Sequence, residues 1–151
     1  LTFYFIAYLC MNLGAFYVAT VVSSRIGSEE YAGFRGLGVR APFLAVCMTV
    51  FLISLIGIPP TAGFSGKFQL FQAAIDGGLI WLAVAAGINT VISAFYYARF
   101  WKVMYLDGAP EPARIAVSRT SLVMISVLVI PVVLLGVAFS AVAAFTQQLG
   151  M

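Results

Sequence analysis

Long apolar runs separated by short polar breaks dominate this chain, and they are too long for the core elements of a soluble domain. Residues 3–22 (FYFIAYLCMNLGAFYVATVV) form the first run. At about 20 residues it is enough helix to cross roughly 30 Å of hydrocarbon. A polar, glycine-rich stretch follows at 23–42, and a second apolar run covers 43–76 but is interrupted at 57–66 by GIPPTAGFSG. The turn DGG at 76–78 leads to a third run at 79–105. A polar segment at 106–119 then precedes a fourth run, 120–146, which contains Pro131. The pattern predicts four transmembrane helices, the second of them discontinuous.

Composition supports the same class. Of 151 residues, 63% are hydrophobic and 9% charged, against about 25% charged in ordinary soluble domains. The expected fold is an all-α integral membrane protein forming a single membrane domain, 1–151. The chain opens at Leu1 inside an apolar run, without a charged leader or cleavage site, and is expected to be the C-terminal piece of something longer. Histidine is absent, and Cys10 and Cys47 lie in separate apolar runs. No metal site, disulfide framework or Cys/His nucleophile is expected. GFRGLG (33–38) lacks the strand-to-helix setting of a dinucleotide fingerprint, so no cofactor site is expected in this chain, and 33–38 is expected to be a flexible interfacial loop. Nucleic acid is not expected as a partner; lipid is.

Charge placement gives the topology. If 43–76 crosses once, the 23–42 and 106–119 segments share a face. Arg25, Arg35, Arg40, Arg114 and Arg119 lie in those segments, with Arg99 and Lys102 at the helix end leading into the second. The opposite face has neither lysine nor arginine. By the positive-inside rule the basic loops are cytoplasmic and both chain ends lie outside. The aromatics of FYYARFWKVMY (95–105) are expected as anchors at the cytoplasmic interface.

The interruption carries the chemistry. Pro59 and Pro60 lack amide donors and disfavour helix in the residue before them, while Gly63 and Gly66 permit shapes that end one segment and start another. Thr61 or Ser65 is expected to cap a second segment running from about Gly66 to Asp76. Irregular backbone at membrane depth is tolerated only where protein or a water-filled cavity satisfies it, and broken helices commonly build ion pathways. Lys67 lies roughly 14 Å of helix from Asp76, near the bilayer midplane. An ammonium there needs partners or gives up its proton; arginine, always protonated, does not offer that choice. Lys67 is therefore the candidate proton-transfer residue. Two alternatives stand beside it: pairing with a carboxylate from elsewhere, and a purely structural role donating to carbonyls freed by the break. Asn12, Ser54, Asn89 and Ser93 are candidates for helix-packing hydrogen bonds or water-wire contacts, and Gly14 and Gly87 for close helix approach.

The strings SLIGIPPTAGFSGKFQLFQAAI (54–75) and WLAVAAGINTVISAFYYARFWKVMY (81–105), with YLCMNLGAFYV (8–18) and FRGLGVRAPFLA (34–45) upstream, resemble the C-terminal part of the subunit N family of NADH:quinone oxidoreductase, respiratory complex I. The resemblance covers essentially the whole chain. It implies an antiporter-like fold of two inverted repeats, of which these four helices would end the second. It also places Lys67 in the half-channel leading outward. FMN, iron–sulfur clusters and quinone would belong to other subunits, and the partners would be other membrane-arm subunits, including the sister antiporter-like subunit. A bacterial plasma membrane is the expected location, with an organelle inner or thylakoid membrane as alternatives. A subunit of an Mrp-type cation/proton antiporter is the alternative function.

Overall fold

In the computed structural model, residues 2–27, 30–59, 61–108 and 114–148 are described. These are helical: α1 (Thr2–Ile26), a 3-10 turn (Tyr31–Phe34), α2 (Leu37–Arg40), α3 (Pro42–Ile56), α4 (Ala62–Asp76), α5 (Ile80–Tyr105) and α6 (Arg119–Gln148). Three helices contain apolar segments long enough to cross a membrane: Phe5–Ile26, Ile80–Tyr105 and Arg119–Ala138. α3 and α4 have 15 residues each, about 22 Å at 1.5 Å per residue, and neither alone reaches across the hydrocarbon. This is an integral membrane protein.

Some helix ends differ from the sequence expectation for local reasons. α1 continues past residue 22 because Ser23 and Ser24 turn their hydroxyls back onto Thr20 O (3.3 Å) and Val21 O (3.0 Å). It stops at Gly27, in the left-handed region at φ +71. Ser118 sets the start of α6 by accepting the Ser121 amide on its hydroxyl at 3.2 Å, a side-chain N-cap. α6 then continues through Pro131.

α1 is central, packing on α3, α4 and α6, while α5 lies outside against α3 and α4. Met11, Val18 and Val22 of α1 meet Leu44, Met48 and Phe51 of α3 in the core. A Cβ on Gly14 would overlap the Phe51 ring, so the missing side chain is what lets α1 and α3 approach this closely. Gly87 has open space where a Cβ would stand, and its expected role in close packing is not what the structure shows.

The 33–38 segment is not a loose interfacial loop. Gly36, at φ +63, turns the chain between the 3-10 turn and α2, sending Phe34 (5% exposed) and Leu37 (0%) into the core. Its amide donates to Val103 O at 3.2 Å, and the Phe34 and Phe100 rings lie 5.1 Å apart. Some of the aromatics expected as interfacial anchors therefore hold this segment down: Phe100 packs on Phe34, and Tyr105 stands where a Cβ on Gly38 would be. The Ile115 amide donates to Arg40 O at 3.1 Å, joining the two basic segments at one end of the bundle.

Candidate functional site: a helix break closed by a lysine

α3 ends for reasons written in its last residues. In a continuing helix Leu55 O and Ile56 O would accept from the amides of residues 59 and 60. Both are prolines and have none to give. Gly57 takes the left-handed conformation at φ +87 and donates to Ile53 O at 3.0 Å, a glycine stop at the position where L side chains are strained. Pro60 lies outside the described residues. Thr61 is extended (φ −90, ψ 158) at the N-cap of α4. Its hydroxyl points back to Ile58 O at 2.7 Å and makes no cap bond.

The second helix starts earlier than its composition suggests. It begins at Ala62, so Gly63, Ser65 and Gly66 lie within its first turns rather than in the break. Close packing explains these small residues: a Cβ on Gly63 would overlap the carbonyl oxygen of Ser54, and Ser65 (1% exposed) is buried. Neither Thr61 nor Ser65 caps α4 with its side chain. The task falls to Ser54, fully buried on α3, whose hydroxyl accepts the Gly63 amide at 3.1 Å and donates to Met11 Sδ at 3.3 Å. One hydroxyl thus ties together α1, α3 and α4.

Lys67 completes the arrangement. Its half-buried side chain runs back over Gly57, where a Cβ would stand 3.0 Å from Lys67 Cδ. Nζ donates to Ile56 O at 2.9 Å, the carbonyl that a proline at residue 60 leaves without an amide. It also donates to Thr90 Oγ1 on α5 at 3.2 Å, and that hydroxyl spends its own proton on Ala86 O at 2.9 Å. Both partners are neutral oxygens. A cation beside the C-terminal carbonyls of a helix is placed where the helix dipole favours it.

A cavity of about 300 Å³ opens beside the amine between α4 and α5. Lys67, Phe71 and Ala74 line one wall and Leu82, Ala86, Asn89 and Thr90 the other. It runs from Lys67 toward the turn at 77–79, away from the arginine-rich end. Asn89 shares this lining, while Asn12 and Ser93 bond within their own helices, to Tyr8 and from Ser93 to Asn89 O. Sequence reasoning missed Thr90, one position from the residue it named.

A bundle of apolar helices with an interrupted segment and an inward lysine defines a polytopic α-helical membrane protein with a polar break in its interior. The chain belongs to the NADH:quinone oxidoreductase/Mrp antiporter transmembrane family, whose model matches residues 1–93. Among curated proteins it is 48% identical to NADH-quinone oxidoreductase subunit N 2 of Sorangium cellulosum, over 98% of this chain and 30% of that one. It is 43% identical to F(420)H(2) dehydrogenase subunit N of Methanosarcina mazei, over 82% of this chain and 28% of that one. A solved structure, respiratory complex I from Thermus thermophilus with bound aureothin, superposes with a TM-score of 0.75 at 26% identity, covering 89% of this chain and 31% of the matched one. The chain thus spans about 30% of the length of the first of these curated relatives.

Proposed function

We propose that this chain is the C-terminal part of a proton-translocating membrane-arm subunit, of the subunit N type, in an NADH:quinone oxidoreductase, and that Lys67 carries a proton on the outward half of the path. The observation that carries the proposal is the Lys67 amine, held on Ile56 O and Thr90 Oγ1 at the head of a cleft leading to the far end of the bundle. α3 and α4 would together make one discontinuous crossing, giving four crossings at the end of a second inverted repeat. The arginine-rich end would face the cytoplasm and both chain ends the outside of a bacterial plasma membrane.

In this mechanism the neutral amine of Lys67 takes up a proton from the interior polar axis of the whole subunit, and the ammonium so formed releases it to water entering the cleft and returns to the neutral amine. Moving one charge across 100 mV costs about 2.3 kcal/mol, similar to making or losing one hydrogen bond to a charged group, about 1.5–3 kcal/mol. Shifting the amine on or off the Ile56 carbonyl is therefore an energetically adequate gate. Electron transfer would take place in other subunits, which would hold FMN, iron–sulfur clusters and quinone; the names of the relatives differ in the electron donor, and the proposal assigns only the proton path here. The other membrane-arm subunits, including the sister antiporter-like subunit, would be its neighbours.

A structural role for Lys67 has one observation in its favour, the same bond to Ile56 O. Lys67→Met in the whole complex, reconstituted into vesicles, separates the two. The relay requires loss of proton pumping in a complex that still assembles; unchanged pumping ends it. The family description also covers Mrp-type antiporters, and sodium- or potassium-dependent proton exchange without a quinone reductase partner would favour that assignment.

A further inference from the structure

The Lys67 amine has hydrogen-bonding capacity that its protein partners do not use. Ile56 O and Thr90 Oγ1 accept from it at 2.9 and 3.2 Å, and an ammonium carries a further N–H donor beyond those. Thr90 is committed on both sides, accepting from Lys67 and donating to Ala86 O. Past the amine the cleft is walled by apolar side chains, Leu70, Phe71 and Ala74 on α4 and Leu82, Ala83 and Ala86 on α5. Apolar walls leave a cavity dry, and a buried water needs about two to four polar partners.

Asn89 is the exception in this lining. The α5 residues that face the cleft recur three and four apart, ending on Ala86, Asn89 and Thr90, which is one face of a helix. Asn89 therefore stands beside Thr90 at the head of the cleft. Among the described residues its carboxamide bonds no other group: the Ser93 hydroxyl, at 2.8 Å, goes to its backbone carbonyl. A carboxamide oxygen can accept from a water and leave the lone pair of that water directed at the amine, while its N–H groups donate to a second water. The cavity of about 300 Å³ has room for several waters at roughly 30 Å³ each. Being neutral, the amide does not lock Lys67 in its charged form as a carboxylate would. We infer that Asn89 is a positioning residue that holds the water which takes the proton from Lys67. The Nζ–H bond breaks, its electron pair stays on nitrogen, and the water oxygen binds the proton before passing it to the next water outward. The inference rests on the reading of Lys67 as a relay and names the group that makes outward release possible.

The test measures protons pumped per NADH oxidised by the whole complex in vesicles. Asn89→Leu keeps the size of the side chain and removes both polar groups; Asn89 is exposed, so the change leaves buried packing alone. This variant should assemble and lose most of the pumping that Lys67→Met loses. Asn89→Gln, which keeps the carboxamide, should retain most of it. The double variant Lys67→Met/Asn89→Leu should pump as Lys67→Met does alone, because groups acting in one network do not add. Wild-type pumping by Asn89→Leu, with pumping lost in Lys67→Met, would overturn the inference and leave the Lys67 relay standing. Asn89→Gln failing as Asn89→Leu does, or a further loss in the double variant, would overturn it as well. Wild-type pumping by Lys67→Met would end both.

Discussion

Gly63 and Gly87 are both helical glycines, yet they face opposite constraints. At Gly63 a Cβ would run into the backbone of Ser54, while at Gly87 nothing stands within reach. Gly63→Ala is therefore expected to force α4 away from α3, with an overpacking cost of about 1–3 kcal/mol. Gly87→Ala should be neutral or stabilising by up to about 1 kcal/mol, because alanine favours helix interiors. Thermal unfolding of the purified complex, followed by the aggregation temperature of this subunit, distinguishes the two; equal effects would contradict the packing described. Thr90 adds a third case. Thr90→Val keeps the branched shape and removes the oxygen that accepts from Lys67, so pumping should fall while assembly holds. Thr90→Ser, which keeps the oxygen, should pump near the wild-type level.

At the scale of elements, the all-helical class and the long apolar runs were legible because hydrocarbon demands length and apolarity, which composition displays directly. The end of α3 was also legible in kind: the proline pair at 59–60 has no amides for a continuing helix. The start of α4 was not. Thr61-Ala62-Gly63-Phe64-Ser65-Gly66 has the composition of a loop, and only the neighbouring Ser54 backbone reveals that its small residues serve packing. The same limit hid Gly36, which steers Phe34 and Leu37 into the core. It also hid Thr90, because each residue advances about 100° around a helix and the rotation of α5 against α4 is set by packing. These elements yield one further expectation. Pro59→Ala restores an amide for Leu55 O, which should lengthen α3 and slow hydrogen exchange at residues 57–59; unchanged exchange there would show that Gly57 alone stops the helix.

In the whole molecule the basic end and the helix break are held by different groups. Around the basic end, the 3-10 turn and Gly36 are fastened to α5 by a ring contact and a backbone bond, and the 114–118 segment is fastened to Arg40 of α2 by another. The break lies deeper, where Ser54 and Lys67 satisfy groups that water would otherwise have to reach. Much of α5 remains uncovered, with Trp81, Val91 and Phe95 each about 70% exposed, as expected of surface that lipid or other membrane-embedded helices cover. A proton relay through this chain requires the Lys67 amine to give up and regain a proton during turnover. Lys67→Arg tests this most directly, since arginine retains donors for Ile56 O but holds its charge throughout. In reconstituted complex, with protons pumped per NADH oxidised as the readout, the account expects a complex that assembles and oxidises NADH but moves fewer protons than the wild type. Full wild-type stoichiometry in that variant would contradict it.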